Sequence, residues 1–137
     1  MPLDTDIYKR VVNAKLYVDS NSHEAINLEM LSKKACFSPF HFHKLFTRIY
    51  KKPPHDYITQ VRIEAAKQML KKGNASISEV CHQVGFESIG SFSNLFKKRN
   101  GQSPLEYKNE QLERQKSIEE QPRKFISHCL IRHFSGE

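Results

Sequence analysis

Apolar residues recur every three to four positions along most of this chain, a period that builds amphipathic helices, and no stretch suggests a strand. Ile7, Val11, Ala14 and Val18 follow the capping types Asp4 and Thr5 and predict a first helix from about 5 to 19, ended by the Ser20 to Ser22 stretch. Asn27 heads a short helix carrying Leu28, Leu31 and Ala35, and Cys36-Phe37 turns the chain. Ser38-Pro39 then starts a third helix reaching about Tyr50, with a cap followed by proline where helices tolerate it. Pro53 and Pro54 interrupt, and Tyr57, Ile58, Val61, Ala65 and Leu70 lie on one longer helix ending at Lys72 before Gly73-Asn74. Ser76-Ile77-Ser78-Glu79 has the form of a capping box and opens a short helix to Val84. Gly85-Phe86-Glu87 turns the chain, a helix from about Ser88 to Arg99 ends at Asn100-Gly101, and Ser103-Pro104 starts a final helix that Glu110 to Glu120 extends.

This string of helices contains one unit twice. Ser38, Phe42, Leu45, Phe46, Pro54 and Tyr57 recur 50 residues later as Ser88, Phe92, Leu95, Phe96, Pro104 and Tyr107. In the short opening helices the offset is 49, pairing Leu28 with Ile77, Leu31 with Val80 and Ser32 with Cys81, so the one-residue difference falls in the turn. A short helix, a tight turn and a longer helix make a helix-turn-helix, and Ser32 and Cys81 are small enough for the helix crossing. On the longer helices, Phe42, Leu45, Phe46 and Ile49 form a core-facing stripe, and Phe40, His43, Lys44 and Thr47 lie about 200° around. In the second unit Phe92, Leu95 and Phe96 oppose Gly90, Ser93, Asn94 and Lys97. Two copies are too few for a solenoid, so the duplication is expected to meet two similar surfaces of one partner.

The charge balance indicates that partner's chemistry. The 137 residues hold 22 Lys and Arg against 15 Asp and Glu, a net charge of +7, and the pI is about 9.4. Residues 1 to 107 carry 16 basic and 10 acidic side chains, whereas residues 108 to 137 carry 6 and 5, so the excess belongs to the repeats and favours a polyanion. Hydrophobic residues make up 38% of the chain, enough for one or two small cores without metals or disulfides. The three cysteines, Cys36, Cys81 and Cys129, are odd in number and far apart, which fits a reducing compartment. No apolar run approaches 18 residues and Met1-Pro2-Leu3-Asp4 lacks a signal pattern, so a cytoplasmic protein without a membrane partner is expected.

Four blocks of the second unit carry a specific resemblance: Ile77-Ser78-Glu79-Val80-Cys81, Val84-Gly85-Phe86-Glu87-Ser88, Phe92-Ser93-Asn94-Leu95-Phe96-Lys97-Lys98 and Gly101-Gln102-Ser103-Pro104-Leu105-Glu106-Tyr107. In order and spacing they resemble the DNA-binding domain of the AraC/XylS family of bacterial transcription regulators, over roughly residues 5 to 115. The resemblance implies an all-α fold of two helix-turn-helix subdomains, residues 1–53 and 73–121, joined by a central linker helix, 54–72, with a tail at 122–137. It implies a sequence-specific regulator of transcription, more often an activator, that inserts two recognition helices into adjacent major grooves of double-stranded DNA. Read as a complete product the chain has no room for a ligand-binding domain, so it resembles stand-alone members that act as monomers on DNA. Independently, a 19-residue connecting helix spans roughly 28 Å, suited to holding two reading helices about one DNA turn apart.

By that resemblance the base-facing positions are Phe40, His41, His43 and Lys44 in the first unit and Ile89, Gly90, Ser93 and Asn94 in the second. Lys44 suits guanine acceptors, Asn94 the edge of adenine and Phe40 a thymine methyl. Gly90 and Asn94 depart from the common family pattern, so the first unit is expected to do most direct reading and the second mainly to position the protein. Ser38 and Ser88 at the helix starts, with Lys51, Lys52, Arg62, Lys97, Lys98 and Arg99, are the expected phosphate contacts. About six neutralised phosphates would give a log affinity against log salt slope near −5.

Other chemistries fit less well. His41 and His43 point apart on a helix and no second cluster completes a zinc site, so neither a metal nor any other cofactor is expected. Cys36 and Cys81 read as small packed residues at turns or crossings, and Asp56 and Glu64 lack a catalytic cleft, so no enzyme activity is expected. The alternative function is a protein interaction module that keeps the fold without duplex binding, favoured by the weak second reading face. In the tail Pro122 breaks the helix, and Phe125, Ile126, Cys129, Leu130 and Phe134 form a stripe that could cover the second unit, form a dimer contact or meet RNA polymerase; the sequence does not choose.

Overall fold

The computed structural model describes residues 4–120, and among these every regular element is an α-helix. The helices are α1 (Thr5–Asn21), α2 (Leu28–Lys34), α3 (Pro39–Tyr50), α4 (Pro54–Lys72), α5 (Ile77–Gln83), α6 (Ile89–Asn100) and α7 (Pro104–Glu120). The stripe expected at Phe125 to Phe134 and the role of the tail lie outside the described residues.

The boundaries follow from local capping chemistry. Asn27, Ser38, Ser76 and Ser88 each accept a backbone N–H three residues on, at 2.8 to 3.2 Å, which satisfies one of the donors a helix start leaves open. Asp4 occupies the first cap without such a bond. α1 runs two residues past its expected end because the Asn21 amide donates to the Tyr17 carbonyl at 3.0 Å and so satisfies a terminal acceptor. The capping box expected at Ser76 and Glu79 closes only through the Ser76 hydroxyl; the reciprocal pair forms at Ser103 and Glu106, where each backbone N–H meets the other's side chain at 3.1 and 3.3 Å.

Two separate cores result. Val11, Ala14 and Val18 of α1 pack with Leu31, Ala35, Phe42, Leu45, Phe46 and Ile58. Ile63, Ala66 and Leu70 of α4 pack with Val80, Cys81, Val84, Phe86, Phe92, Phe96 and Tyr107. α4 therefore joins the units by belonging to both, giving Ile58 to the first core and Ile63 onward to the second. The aromatic centres correspond: the Phe46 and Tyr57 rings lie 5.7 Å apart, those of Phe96 and Tyr107 5.5 Å.

The architecture also extends the repeat beyond what spacing at 50 revealed. Arg10, Val11, Ala14 and Val18 on α1 match Arg62, Ile63, Ala66 and Leu70 on α4 at an offset of 52. Each unit is thus a long helix, a short one and a reading helix, with the opening of the following long helix closing its core. The stretch from Val18 to Leu28 is three residues longer than the matching stretch from Leu70 to Ile77, the difference between offsets of 52 and 49.

One of the two cysteines expected to pack at turns or crossings departs from that expectation. Cys81 is fully buried, with its thiol directed at the Phe86 carbonyl, but Cys36 is exposed and has φ of 59°. Cys36 matches Gly85, whose φ is 104°. The turn demands a left-handed residue, and at Cys36 its Cβ must leave the core side.

Candidate nucleic-acid interface

α3 and α6 present the faces assigned to reading. Phe42, Leu45 and Phe46 are buried, as are Phe92 and Phe96, which fixes the rotation of each helix about its axis. Ile49 and Leu95 are half-buried members of their stripes, and Thr47, expected on the open face, is half-buried with its hydroxyl donating to the His43 carbonyl at 2.8 Å.

The first reading face is pre-arranged. Phe40 is 74% exposed, and the Lys44 ammonium lies 5.1 Å from its ring centroid, so two base-facing candidates form a cation–π pair before any ligand arrives. His43 is exposed beside them. His41 is exposed and meets the edge of Phe37 at 5.1 Å, which directs it toward the turn.

The second face is flatter. Ile89, Gly90 and Asn94 are exposed and Ser93 is half-buried. A Cβ built on Gly90 would meet nothing within 4 Å, so no packing constraint of the protein requires glycine there. The absence of a side chain is a property of the outer surface.

Ser38 and Ser88 are exposed at the starts of α3 and α6. Lys97, Lys98 and Arg99 are exposed in the last turn of α6, and Arg99 also reaches the Asp56 carbonyl at 3.4 Å. Lys51 is exposed in the left-handed cap of α3 with φ of 62°, while its counterpart Gly101 has φ of 77°. Lys52 is half-buried and donates to Gln60 Oε1.

Arg62 is the exception among the expected phosphate ligands. Its Nε donates to the Ser22 carbonyl at 2.7 Å and its Nη2 to the Glu24 carbonyl at 2.8 Å, and the guanidinium carbon lies 5.9 Å from the Phe86 ring centroid. Burial lowers its pKa, against the opposing pull of Glu87. These acceptors engage two of the guanidinium's donors within the protein and give half-buried Arg62 a structural role that the other expected phosphate ligands do not share.

Sequence reasoning also missed Arg10, which makes the corresponding contact in the first unit. Its Nε donates to the Ala35 carbonyl at 2.8 Å, Nη2 donates to the Cys36 carbonyl, and the guanidinium sits 3.9 Å from the Phe37 ring centroid. An arginine before the same apolar triplet at an offset of 52 was the available signal.

Between the units lies a cleft of about 670 Å³, lined by residues including His23, His55, His82, Arg62, Phe86 and Ser88. Among the described residues no group of three or more His, Cys, Asp and Glu could hold a metal ion, and no helix is long and apolar enough to cross a membrane.

A family model described as a helix-turn-helix domain matches residues 31–110. The chain is 37% identical over 92 residues to the bifunctional transcriptional activator/DNA repair enzyme AdaA of Bacillus subtilis, an alignment covering 67% of this chain and 44% of that relative. The fold is similar to the DNA-binding domain of AdpA, a global transcriptional factor solved in complex with a target DNA, with a TM-score of 0.71 at 21% identity over 82% of this chain and 96% of that one. It is also similar to the C-terminal domain of the two-component response regulator yesN from Fusobacterium nucleatum, with a TM-score of 0.68 at 28% identity over 71% of this chain and 95% of that one.

Proposed function

The chain belongs to the AraC/XylS family of helix-turn-helix regulators, and from that premise we propose that it is a sequence-specific, double-stranded DNA-binding regulator of transcription that reads two successive major grooves. The observation that carries this reading is the pairing of one scaffold with two different outer faces. Phe42, Leu45 and Phe46 of α3 recur as Phe92, Leu95 and Phe96 of α6, whereas Phe40, His43 and Lys44 are replaced by Gly90, Ser93 and Asn94. Conserving the support while varying the surface is what two unlike half-sites require, so the preferred site is asymmetric and one monomer suffices to occupy it.

In this reading Phe40, His41, His43 and Lys44 supply most of the base discrimination, and Ile89, Gly90, Ser93 and Asn94 let α6 approach its groove closely. Ser38, Ser88, Lys51, Lys52, Lys97, Lys98 and Arg99 hold the phosphates. The role is non-catalytic and cytoplasmic, with activation through RNA polymerase as its mode.

Selection of binding sites from a random duplex pool tests the proposal and should return an asymmetric site of two unlike halves. With Arg62 withdrawn, five cationic side chains remain, and log affinity should fall with log salt at a slope of about −4.5. A slope near zero, or a pool that never enriches, would leave the protein-interaction reading in its place.

A further inference from the structure

We propose that Arg62 is a spacing-determining residue: by tying the α1–α2 loop of the first unit to the α5–α6 turn of the second, it sets the separation of half-sites the protein accepts. The inference rests on the two-groove reading above and assigns a role to contacts that reading does not use.

The two cores share no buried side chain and meet through α4. A helix alone bends, and a small bend at its middle moves α6 relative to α3. Arg62 stands on α4 beside Ile63, where the helix passes into the second core. Its two donors hold the Ser22 and Glu24 carbonyls of the first unit, while its guanidinium lies over Phe86 of the second.

Gly85 brings the two backbones into direct contact under this clamp. A Cβ there would lie 2.8 Å from the Ser22 carbonyl oxygen, 3.1 Å from that of His23 and 3.0 Å from Arg62 Nε. Ser88, the cap of α6, follows Gly85 by only three positions, so holding the turn holds the start of the reading helix. The segment gripped, Ser22 to Glu24, lies in the α1–α2 loop, which is two residues longer than its counterpart. Arg10 shows the alternative, spending its donors on its own unit's turn. The first unit's arginine braces one unit, and the second unit's arginine braces the pair.

Binding of the full-length chain to duplexes carrying the selected site, with the halves at their native spacing or moved by one or two base pairs, tests the assignment. Each base pair displaces the second half-site by roughly 3.4 Å. The native protein should lose about tenfold or more in affinity per base pair, because base contacts in one groove are forfeited. Arg62→Met, which keeps the stem and removes the donors, should flatten that dependence to about threefold or less while leaving the salt slope unchanged. Arg62→Lys, which keeps the charge but not the fork, serves should the Met variant fail to fold and should also broaden the tolerance.

Distances between spin labels at Thr47→Cys and Lys98→Cys, on a background freed of its own cysteines, should broaden on Arg62→Met without any DNA present. A folded Arg62 variant that keeps the native spacing preference overturns the inference. A salt slope smaller by about one with that preference intact does so in favour of a phosphate contact. A native protein that enriches no specific duplex overturns the two-groove reading itself, whatever the label distances show.

Discussion

Arg10 and Arg62 occupy the same place in two copies of one unit, and their donors go to different parts of the molecule. Arg10 satisfies Ala35 and Cys36, the carbonyls of its own turn, and packs closely on Phe37. Arg62 covers Phe86 from farther away and gives its hydrogen bonds to the other unit. The difference shows how a duplicated scaffold becomes a single device: one repeated side chain keeps its position and changes what it stabilises. The turn residue under each arginine differs accordingly, an exposed Cys36 where the surroundings are open and Gly85 where two backbones meet.

The equivalence of the two cores can be broken most forcefully at their centres. Phe46→Ala and Phe96→Ala should each cost roughly 3 to 5 kcal/mol by urea unfolding, since both rings are fully buried. Because α4 serves both cores, each variant should shift one cooperative transition; two separated transitions would show that the units fold independently.

The matched turns should respond with opposite signs. Gly85→Ala should destabilise by about 2 kcal/mol or more, as it combines a left-handed φ with a close approach to the Ser22 carbonyl. Cys36→Gly should stabilise by up to about 1 kcal/mol, for it relieves a left-handed non-glycine at an exposed position. Thermal unfolding compares the pair directly, and shifts of the same sign would end the argument that only one turn is crowded.

The asymmetry of the reading faces is sharpened by Lys44→Ala against Asn94→Ala. On the selected duplex and a scrambled one, Lys44→Ala should remove about 1 to 3 kcal/mol of discrimination, and Asn94→Ala less. A larger loss from Asn94 would reverse the roles assigned to α3 and α6.

The smallest effect concerns Tyr57 and its counterpart Tyr107. Burial first, then the hydrogen bond to Asp19, pushes the Tyr57 hydroxyl up to about 12. Tyr107 is raised as well, by burial and by Glu64 and Glu110. The folded state holds the Tyr57 proton more tightly than the unfolded one. Its contribution is therefore fully present below the unfolded value of 10.0 and is lost as pH rises through about 12. Ultraviolet titration should find Tyr57 still protonated at pH 11, and Tyr57→Phe should remove its share of the alkaline loss in stability.

Much of the fold was legible because capping residues mark helix ends locally. Asn27, Ser38, Ser76 and Ser88 each took the cap expected of them, and Gly73 ended α4 with a left-handed φ of 73°. The burial of Phe42, Phe46, Phe92 and Phe96 was equally plain, since helical period alone separates inner from outer faces. What escaped was long-range. Arg62 reads as a free cation on a helix, and nothing adjacent in sequence reveals that its acceptors are carbonyls about 40 residues away. The α1–α4 correspondence escaped for a related reason: a longer first loop shifts its offset to 52, so a search at 50 passes over it. Cys36 was misplaced because a left-handed turn, rather than residue size, decides where its side chain points.

The sharing of α4 has a consequence for how the molecule may be cut. An excised first unit must run at least through Ile58 and Val61 to keep its core, and a second must begin before Ile63 while retaining the helix start that makes that turn stable. The two fragments therefore claim the same turns of one helix. No single cleavage site yields both, and the chain divides cleanly by energy but not by position.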